Sequence, residues 1–253
     1  MMALKVIDIS YAQGKVDFGA VRGNVDGVII RCGYGDDIPY QDDACWERNA
    51  SECECLGIPY GAYLYSYAMS WRQAESETNH ILRLIRGRKL AYPVYIDLEY
   101  EPMRQVFRPE WFIEMGEKIE KSGYWFGIYA NLDWFRSVIG NRLDRFTRWA
   151  AQYNDTLDTY ADMWQYTNKG RVEGIYGDCD MNICYRNLPD EIRPGWKMNG
   201  HLSYTDEAWI LETAMDVIRG NYGNGEERRK ALGSRYEVVQ RKVNEIMEKN
   251  SFD

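Results

Sequence analysis

The stretch Val94-Tyr-Ile-Asp-Leu-Glu99 decides how the chain is read. It is a short apolar run ending in two carboxylates, too short for a helix. Read as a strand, it puts Asp97 and Glu99 on one face, about 7 Å apart, at the C-terminal end. On either side the pattern changes to helical spacing, over about 70–86 and 109–122. Gly87 and Gly123 stop these helices, and a new strand follows each within a few residues. Worked outward, the strand candidates are Leu4–Ile9, Gly27–Arg31, Tyr60–Tyr65, Pro93–Leu98, Trp125–Tyr129, Arg148–Ala151, Ala161–Gln165 and Met181–Cys184. Further helical segments fall near 16–24, 43–56 and 132–139. This alternation predicts a parallel sheet, and eight strands are enough to close a barrel. Beyond residue 147 the strands crowd too closely for helices between them. The expected fold is α/β: an incomplete (β/α) barrel of about eight strands, five β/α units followed by strands lacking helices.

Barrel enzymes keep their chemistry at the C-terminal ends of the strands. Asp8 ends the first strand in Val6-Ile-Asp-Ile-Ser10, and Asp178 and Asp180 alternate in Gly177-Asp-Cys-Asp-Met-Asn182. Closure brings the last strand beside the first, so Asp8, Asp97, Glu99 and Asp180 converge on one rim. Carboxyls that close cannot all ionise, and at least one keeps its proton near neutral pH. A glycosidase needs this division: an acid to protonate the leaving oxygen and a carboxylate to stabilise the cationic sugar. Two other readings share the residues. Asp-x-Glu at a strand end also arises as an ordinary solvated rim, and clustered carboxylates suit magnesium or calcium. No phosphate-binding loop accompanies them and aromatics are plentiful, which favours sugar chemistry over a metal site; no cofactor is expected.

The composition narrows the classes further. Net charge is −8 with no basic block, which argues against nucleic acid. No apolar run approaches the roughly 18 residues of a membrane span. Two histidines, His80 and His201, leave little for a multi-histidine metal site. Twenty Tyr and nine Trp suit a surface on which sugar rings stack. The six cysteines are expected as free thiols. The N-terminus runs straight into a strand without a signal-peptide pattern, so the expectation is a chain made in the cytoplasm that acts after release.

Residues 186–204 are polar, with two prolines and two glycines, and read as a linker. From Thr205 the character changes: Ala208, Leu211, Met215 and Ile218 keep helical spacing, then glycines intervene. Leu232, Val239, Val243 and Ile246 then share a face. The expected organisation is a barrel over 1–187, a linker over 188–204 and a small all-α unit over 205–253.

Taken together, Asp8-Ile-Ser-Tyr-Ala-Gln-Gly14, Gly61-Ala-Tyr-Leu-Tyr65, Tyr95-Ile-Asp-Leu-Glu99, Gly127-Ile-Tyr-Ala-Asn131, Trp149-Ala-Ala-Gln-Tyr153, Trp164-Gln-Tyr166 and Asp180-Met-Asn182 resemble the lysozymes of glycoside hydrolase family 25, in family order from Val6 to Cys184. The resemblance implies a flattened barrel and cleavage of the β-1,4 bond between N-acetylmuramic acid and N-acetylglucosamine in peptidoglycan. By it, Glu99 resembles the general acid. Asp97 resembles the carboxylate that steers the substrate's own N-acetyl group, and Asp8 and Asp180 look like rim carboxylates that tune the pair. Gln13, Tyr65, Tyr129, Trp164 and Gln165 resemble residues lining the groove. Each also has a plainer reading: barrel caps for Tyr65 and Tyr129, core for Trp164, a turn for Gln13.

The tail, from Gly220-Asn-Tyr-Gly-Asn-Gly-Glu-Glu-Arg228 to Asn244, resembles a short helical cell-wall-binding repeat found behind many phage lysozymes. Tyr222 stands where that repeat usually has Trp, and one copy gives no avidity. Tyr222 and Arg228 are its expected ligand contacts. The leading expectation is a phage-type muramidase endolysin whose partner is bacterial peptidoglycan. The alternatives are a bacterial autolysin, a non-catalytic glycan-binding barrel and a metal-dependent hydrolase that chelators would silence.

Overall fold

Eight strands close into one barrel in chain order: β1 (Leu4–Ile9), β2 (Gly27–Tyr34), β3 (Tyr60–Tyr65), β4 (Val94–Asp97), β5 (Phe126–Asn131), β6 (Thr147–Ala151), β7 (Met163–Gly170) and β8 (Cys179–Cys184). This computed structural model describes residues 3–192, 199, 204–232 and 236–249, in two units, Met1–His201 and Leu202–Asp253. Helices α1 (Phe18–Val21), α2 (Trp46–Leu56), α3 (Trp71–Leu84) and α4 (Pro109–Lys121) fill the first four connections. A short α5 (Leu132–Trp134), continued by a π turn at Phe135–Ile139, fills the fifth. Beyond β6 the strands are bare, as their spacing implies. The sheet is not wholly parallel. β8 runs antiparallel to both β7 and β1, because residues 171–178 are too few for the crossover that a parallel neighbour demands.

Local chemistry sets the helix ends. Ser70 caps α3 by accepting from the Gln73 N–H, and Gly57 ends α2 at φ 68°, a conformation cheap only for glycine. Strand alternation then builds two cores. Outward residues such as Ile7, Ile30, Leu64, Ile96 and Ile128 pack beneath the helices against Trp46, Phe112 and Trp134. Inward residues Val6, Ile29, Tyr95, Tyr129, Trp149 and Met163 fill the barrel. Tyr95 meets Trp149 edge-on at 5.1 Å, and Trp149 meets Tyr129 at 4.4 Å. Gly127 makes this possible, since a Cβ there would lie 2.4 Å from the Tyr95 ring. All six cysteines are free, four of them buried.

The linker reading fails over the described part of 188–204. Helix α6 (Leu188–Asp190) follows β8, and Leu188 and Ile192 are fully buried in the inner core. Each such burial is worth about 1.5–3 kcal/mol. Asn199 is buried too, held at φ 56°, a left-handed conformation that Asn tolerates. Its Nδ2 donates to the Tyr92 carbonyl (2.8 Å), and its Oδ1 accepts from the Trp125 N–H (2.6 Å). Its own carbonyl accepts from the Leu90 N–H and its N–H donates to the Gly123 carbonyl. This one residue ties together the loops that lead into β4 and β5. Residues 193–198 and 200–203 lie outside the described residues.

The second unit holds α7 (Tyr204–Ile218), α8 (Glu226–Leu232) and α9 (Tyr236–Lys249) around Ala214, Val217, Leu232, Val239 and Val243. The α9 stripe is the expected one. On α7 the expected Leu211, Met215 and Ile218 are exposed, and Ile210, Ala214 and Val217 turn inward instead. The two stripes have the same spacing one residue apart, so periodicity could not choose between them. Among the described residues no helix is long and apolar enough to cross a membrane.

A chain ending at Asp190 loses Ile192 and Asn199, so its thermal midpoint should fall well below that of a chain ending at His201. Ile192→Ala alone should cost about 2–5 kcal/mol in urea unfolding. Equal stability of the two shortened chains would return this segment to the role of linker.

Candidate active site

The barrel closes where β1 meets β8, and at that seam Asp8 stands opposite Asp180. Asp8 is buried, and its Oδ2 accepts from Asn182 Nδ2 (2.8 Å) and Gln165 Nε2 (3.0 Å). Both amides are held from behind. Gln165 Oε1 accepts from the Tyr129 hydroxyl (3.0 Å) and the Tyr153 hydroxyl (2.9 Å), and Asn182 Oδ1 accepts from the Trp149 indole (2.8 Å). Three aromatic donors thus end, through two amides, on one carboxyl. Burial, then the facing Asp180, push the Asp8 pKa up to about 8, against the pull of the two amides. Burial raises Asp180 to about 6.

Strand β4 stops at Asp97, so Glu99 lies in the irregular segment beyond it rather than on the strand as expected. The alternation still carries through. Leu98 donates its N–H to the Tyr129 carbonyl (2.9 Å) and buries its side chain in the outer core, which leaves Glu99 half-buried beside Asp97. Burial, then Asp180, hold the Glu99 pKa above its ordinary value. Glu99 lines a cleft of about 350 Å³ with Tyr129, Asn131, Gln152 and Tyr153. Asp97 is 4% exposed, and its Oδ1 has no hydrogen-bond partner among the described residues. Burial, Glu99 and Asp8 raise its pKa well above the usual carboxylate range, while Arg31 opposes them.

Tyr65, level with Asp97 on the neighbouring strand, is half-exposed. Its ring lies 4.9 Å from Tyr67, which meets Tyr100 edge-on at 4.8 Å. Glu77 on α3 fixes this aromatic wall: buried, it accepts from the Ser66 hydroxyl (2.6 Å) and the Tyr67 N–H (2.7 Å). The sequence reading assigned no role to Tyr67, Tyr100, Tyr153, Asn182 or Glu77. Tyr153 and Asn182 end the stretches Trp149–Tyr153 and Asp180–Asn182, and that position was the signal available in the sequence.

Four expected contacts are placed differently. Gln13 closes a capping box with Ser10, its Oε1 accepting the Ser10 N–H at 2.8 Å. Trp164 falls on the outer face because Met163 and Gln165 take the inside of β7, and its indole donates to the Gln152 carbonyl (2.8 Å). Arg228 makes four hydrogen bonds within its own unit, to Gly223, Asn224 and Gln240, because its fork is needed to hold the glycine turn against α9. Tyr222 packs half-buried against that unit's core. Asp178, which alternates with Asp180 in the sequence and was assigned no contact, pairs with Arg171 at 3.0 Å.

Residues 7–175 match the family model described as glycosyl hydrolases family 25. The chain belongs to that family. Residues 212–247 match a second model, the CW_7 repeat. The chain is 26% identical over 187 residues to an autolytic lysozyme of Clostridium acetobutylicum, covering 71% of this chain and 55% of that protein. It superposes on the modular autolysin LytC of Streptococcus pneumoniae, solved with a synthetic peptidoglycan ligand, with a TM-score of 0.65 at 28% identity. That match covers 72% of this chain and 47% of LytC, so the chain spans about half the length of both relatives. The catalytic domain of endolysin ply40, from bacteriophage P40 of Listeria monocytogenes, shares the fold, with a TM-score of 0.66 at 24% identity over 79% of this chain and 98% of that one.

Because folding raises the Asp8 pKa to about 8, the folded chain holds a proton that the unfolded chain releases near pH 4. The associated stability is complete below about pH 4 and is lost as pH rises through 8. Asp8→Asn, which copies the neutral form, should therefore be more stable than the parent at pH 8 and should flatten the decline between pH 5 and 8. Urea unfolding at both pH values checks this, and parallel slopes would contradict it.

Proposed function

We propose that the chain is a peptidoglycan muramidase that hydrolyses the β-1,4 bond from N-acetylmuramic acid to N-acetylglucosamine. The observation that carries the reading is the unlike pair at the end of β4. Glu99 is half-buried and opens onto an aromatic cleft, while Asp97 lies beside it fully buried with an oxygen left unbonded, and burial raises the proton affinity of both. The family membership, the lysozyme relative and the peptidoglycan bound to LytC support the same substrate.

In this mechanism Glu99 protonates the glycosidic oxygen as the C1–O bond breaks. The substrate's acetamido oxygen attacks C1, and Asp97 accepts the acetamido N–H, which offsets the positive charge of the cyclic intermediate. Glu99, now ionised, takes a proton from water as that water opens the ring. Two displacements at C1 return the β configuration. Asp8 and Asp180 tune this pair from the seam. The repeat over 212–247 is assigned to wall attachment, and the proposed setting is bacterial lysis by a phage-type endolysin. Expression on prophage induction would support that setting, and expression with host growth would make the chain an autolysin.

Glu99→Gln keeps the shape and removes the transferable proton, so cleavage should fall at least about 100-fold while wall binding persists. Mass analysis of digested peptidoglycan should find new muramic-acid reducing ends, and proton NMR should show the β anomer first. Glucosamine ends or freed peptides would overturn the reaction, and an initial α anomer would overturn the mechanism. A chain ending at His201 should cut soluble wall fragments at close to the full rate and intact walls more slowly. Equal rates on intact walls would remove the repeat from attachment.

A further inference from the structure

The two sides of the carboxyl pair are built differently. Toward β5 and β6 the cleft beside Glu99 is lined by Tyr129, Asn131, Gln152 and Tyr153, with no base among the described residues. Toward β2 stands Arg31, level with Tyr63 and two residues beyond Ile29, which fills the barrel. Tyr34 is level with Tyr65, and Tyr65 with Asp97. Neighbouring strands lie about 4.8 Å apart, so the place of Tyr34 in the sheet is about 10 Å from that of Asp97. In a regular strand, residues three apart point to opposite faces. The register shifts between Arg31 and Gly33, and this bulge turns Arg31 and Tyr34 to the same side.

Arg31 is held along one edge only. Its Nε donates to Asp43 Oδ2 at 2.8 Å. The Asp43 side chain is fully buried and also accepts the Tyr11 N–H (3.0 Å) and the Cys45 N–H (2.9 Å), so its charge is shared with two backbone donors. The guanidinium carbon lies 4.8 Å from the centre of the Tyr11 ring and 5.8 Å from that of Tyr34. Tyr34 is pinned in turn, its hydroxyl donating to the Tyr40 carbonyl (3.2 Å), whereas Tyr11 is 59% exposed. The Arg31 side chain stays 17% exposed, and its Nη atoms make no hydrogen bond among the described residues. The protein thus spends the Nε edge of the guanidinium and leaves the Nη end unspent at the rim.

We propose that Arg31, gripped by Asp43 and stacked on Tyr11, is a specificity residue whose Nη fork takes a carboxylate carried by a muramyl unit of the glycan. The proposal rests on the muramidase reading and deepens it. In that polymer neutral N-acetylglucosamine alternates with N-acetylmuramic acid, whose O-lactyl group ends in a carboxyl. That carboxyl is free on a bare glycan and otherwise joined to a peptide stem with carboxylates of its own. A groove with a base on one side of the scissile bond and none on the other can tell the two sugars apart. The guanidinium plane matches a carboxylate with two parallel N–H bonds, and the Tyr11 ring offers an apolar face beside it. Binding at the Nη end leaves the Asp43 contact at Nε in place.

The test measures binding to the full chain carrying Glu99→Gln, which removes cleavage. Three glycan fragments of equal length are titrated by calorimetry: one with free lactyl carboxylates, one with these carboxyls as methylamides, and one with peptide stems. The free acid should bind about tenfold more tightly than the methylamide if the lactyl group is the source, and the stem-bearing fragment should do so if the stem is. Adding Arg31→Gln should erase that preference and leave the methylamide within about threefold of its former affinity. Arg31→Lys, which keeps the charge and loses the fork, should retain a preference of about threefold.

No preference for either acid, or a preference that survives Arg31→Gln, would overturn the proposal. So would an equal loss for the methylamide, which would make Arg31 a structural residue. If Arg31→Gln does not fold by circular dichroism, Arg31→Lys decides, and an undiminished preference is then the overturning result. Should the parent chain release no muramic-acid ends from walls, the muramidase reading fails, while the three titrations still decide whether Arg31 is a carboxylate site.

Discussion

Asp8 and Asp180 face each other across the seam at which the barrel closes, and like charges opposed on neighbouring strands destabilise the pairing. The molecule does not avoid this conflict; it contains it. Two amides, each anchored by aromatic donors, converge on one oxygen of Asp8, and burial favours a proton at that carboxyl. The antiparallel run of β8 is what sets the conflict. Reversing the last strand lays Asp180 and Asn182 along β1 with both side chains turned inward, so the repelling carboxyl and the amide that relieves it come from one strand, two residues apart.

The same device divides the rim. Asp8 is met by two amide donors, while Asp97 is buried with its Oδ1 left without a partner among the described residues. Glu99 lies beside Asp97, beyond the strand end and open to the cleft. Identical chemical groups thus acquire different exposure, partners and proton affinities from their surroundings alone. Glu77, buried one shell further out with its pKa raised to about 8 by burial, places the Tyr67 backbone and so the aromatic wall above Asp97.

Much of this was legible in the chain. The strand beginning at Leu4, all of Tyr60–Tyr65 and the strand endings at Ala151 and Cys184 follow from apolar alternation, and the glycine stops at 57, 87 and 123 follow from helix chemistry. The four carboxyls were visible because each lies at or next to a strand terminus, Asp8 and Asp97 near C-terminal ends, Glu99 just beyond β4 and Asp180 near the start of β8. What escaped detection depends on partners distant in sequence. Trp164 reads as a groove aromatic until the register of β7 assigns the inside to Gln165. Arg228 reads as a free fork until the fold returns the Gly223 carbonyl to it. Asn199 leaves no trace at all, because it bonds to backbone groups that any sequence would supply.

That last residue changes what counts as the site. Leu188 and Ile192 belong to the same inner core as Tyr95, Tyr129 and Trp149. Asn199 fixes the loops entering β4 and β5, the strands that carry Asp97 and Tyr129. From that floor the packing runs upward without a gap. Tyr95 stacks edge-on against Trp149, Trp149 donates to Asn182, and Asn182 donates to Asp8. Close-packed interiors transmit displacement rather than absorb it. A polar stretch with no periodicity therefore helps hold the carboxyl whose proton balances the rim, at the far end of the barrel from the groove.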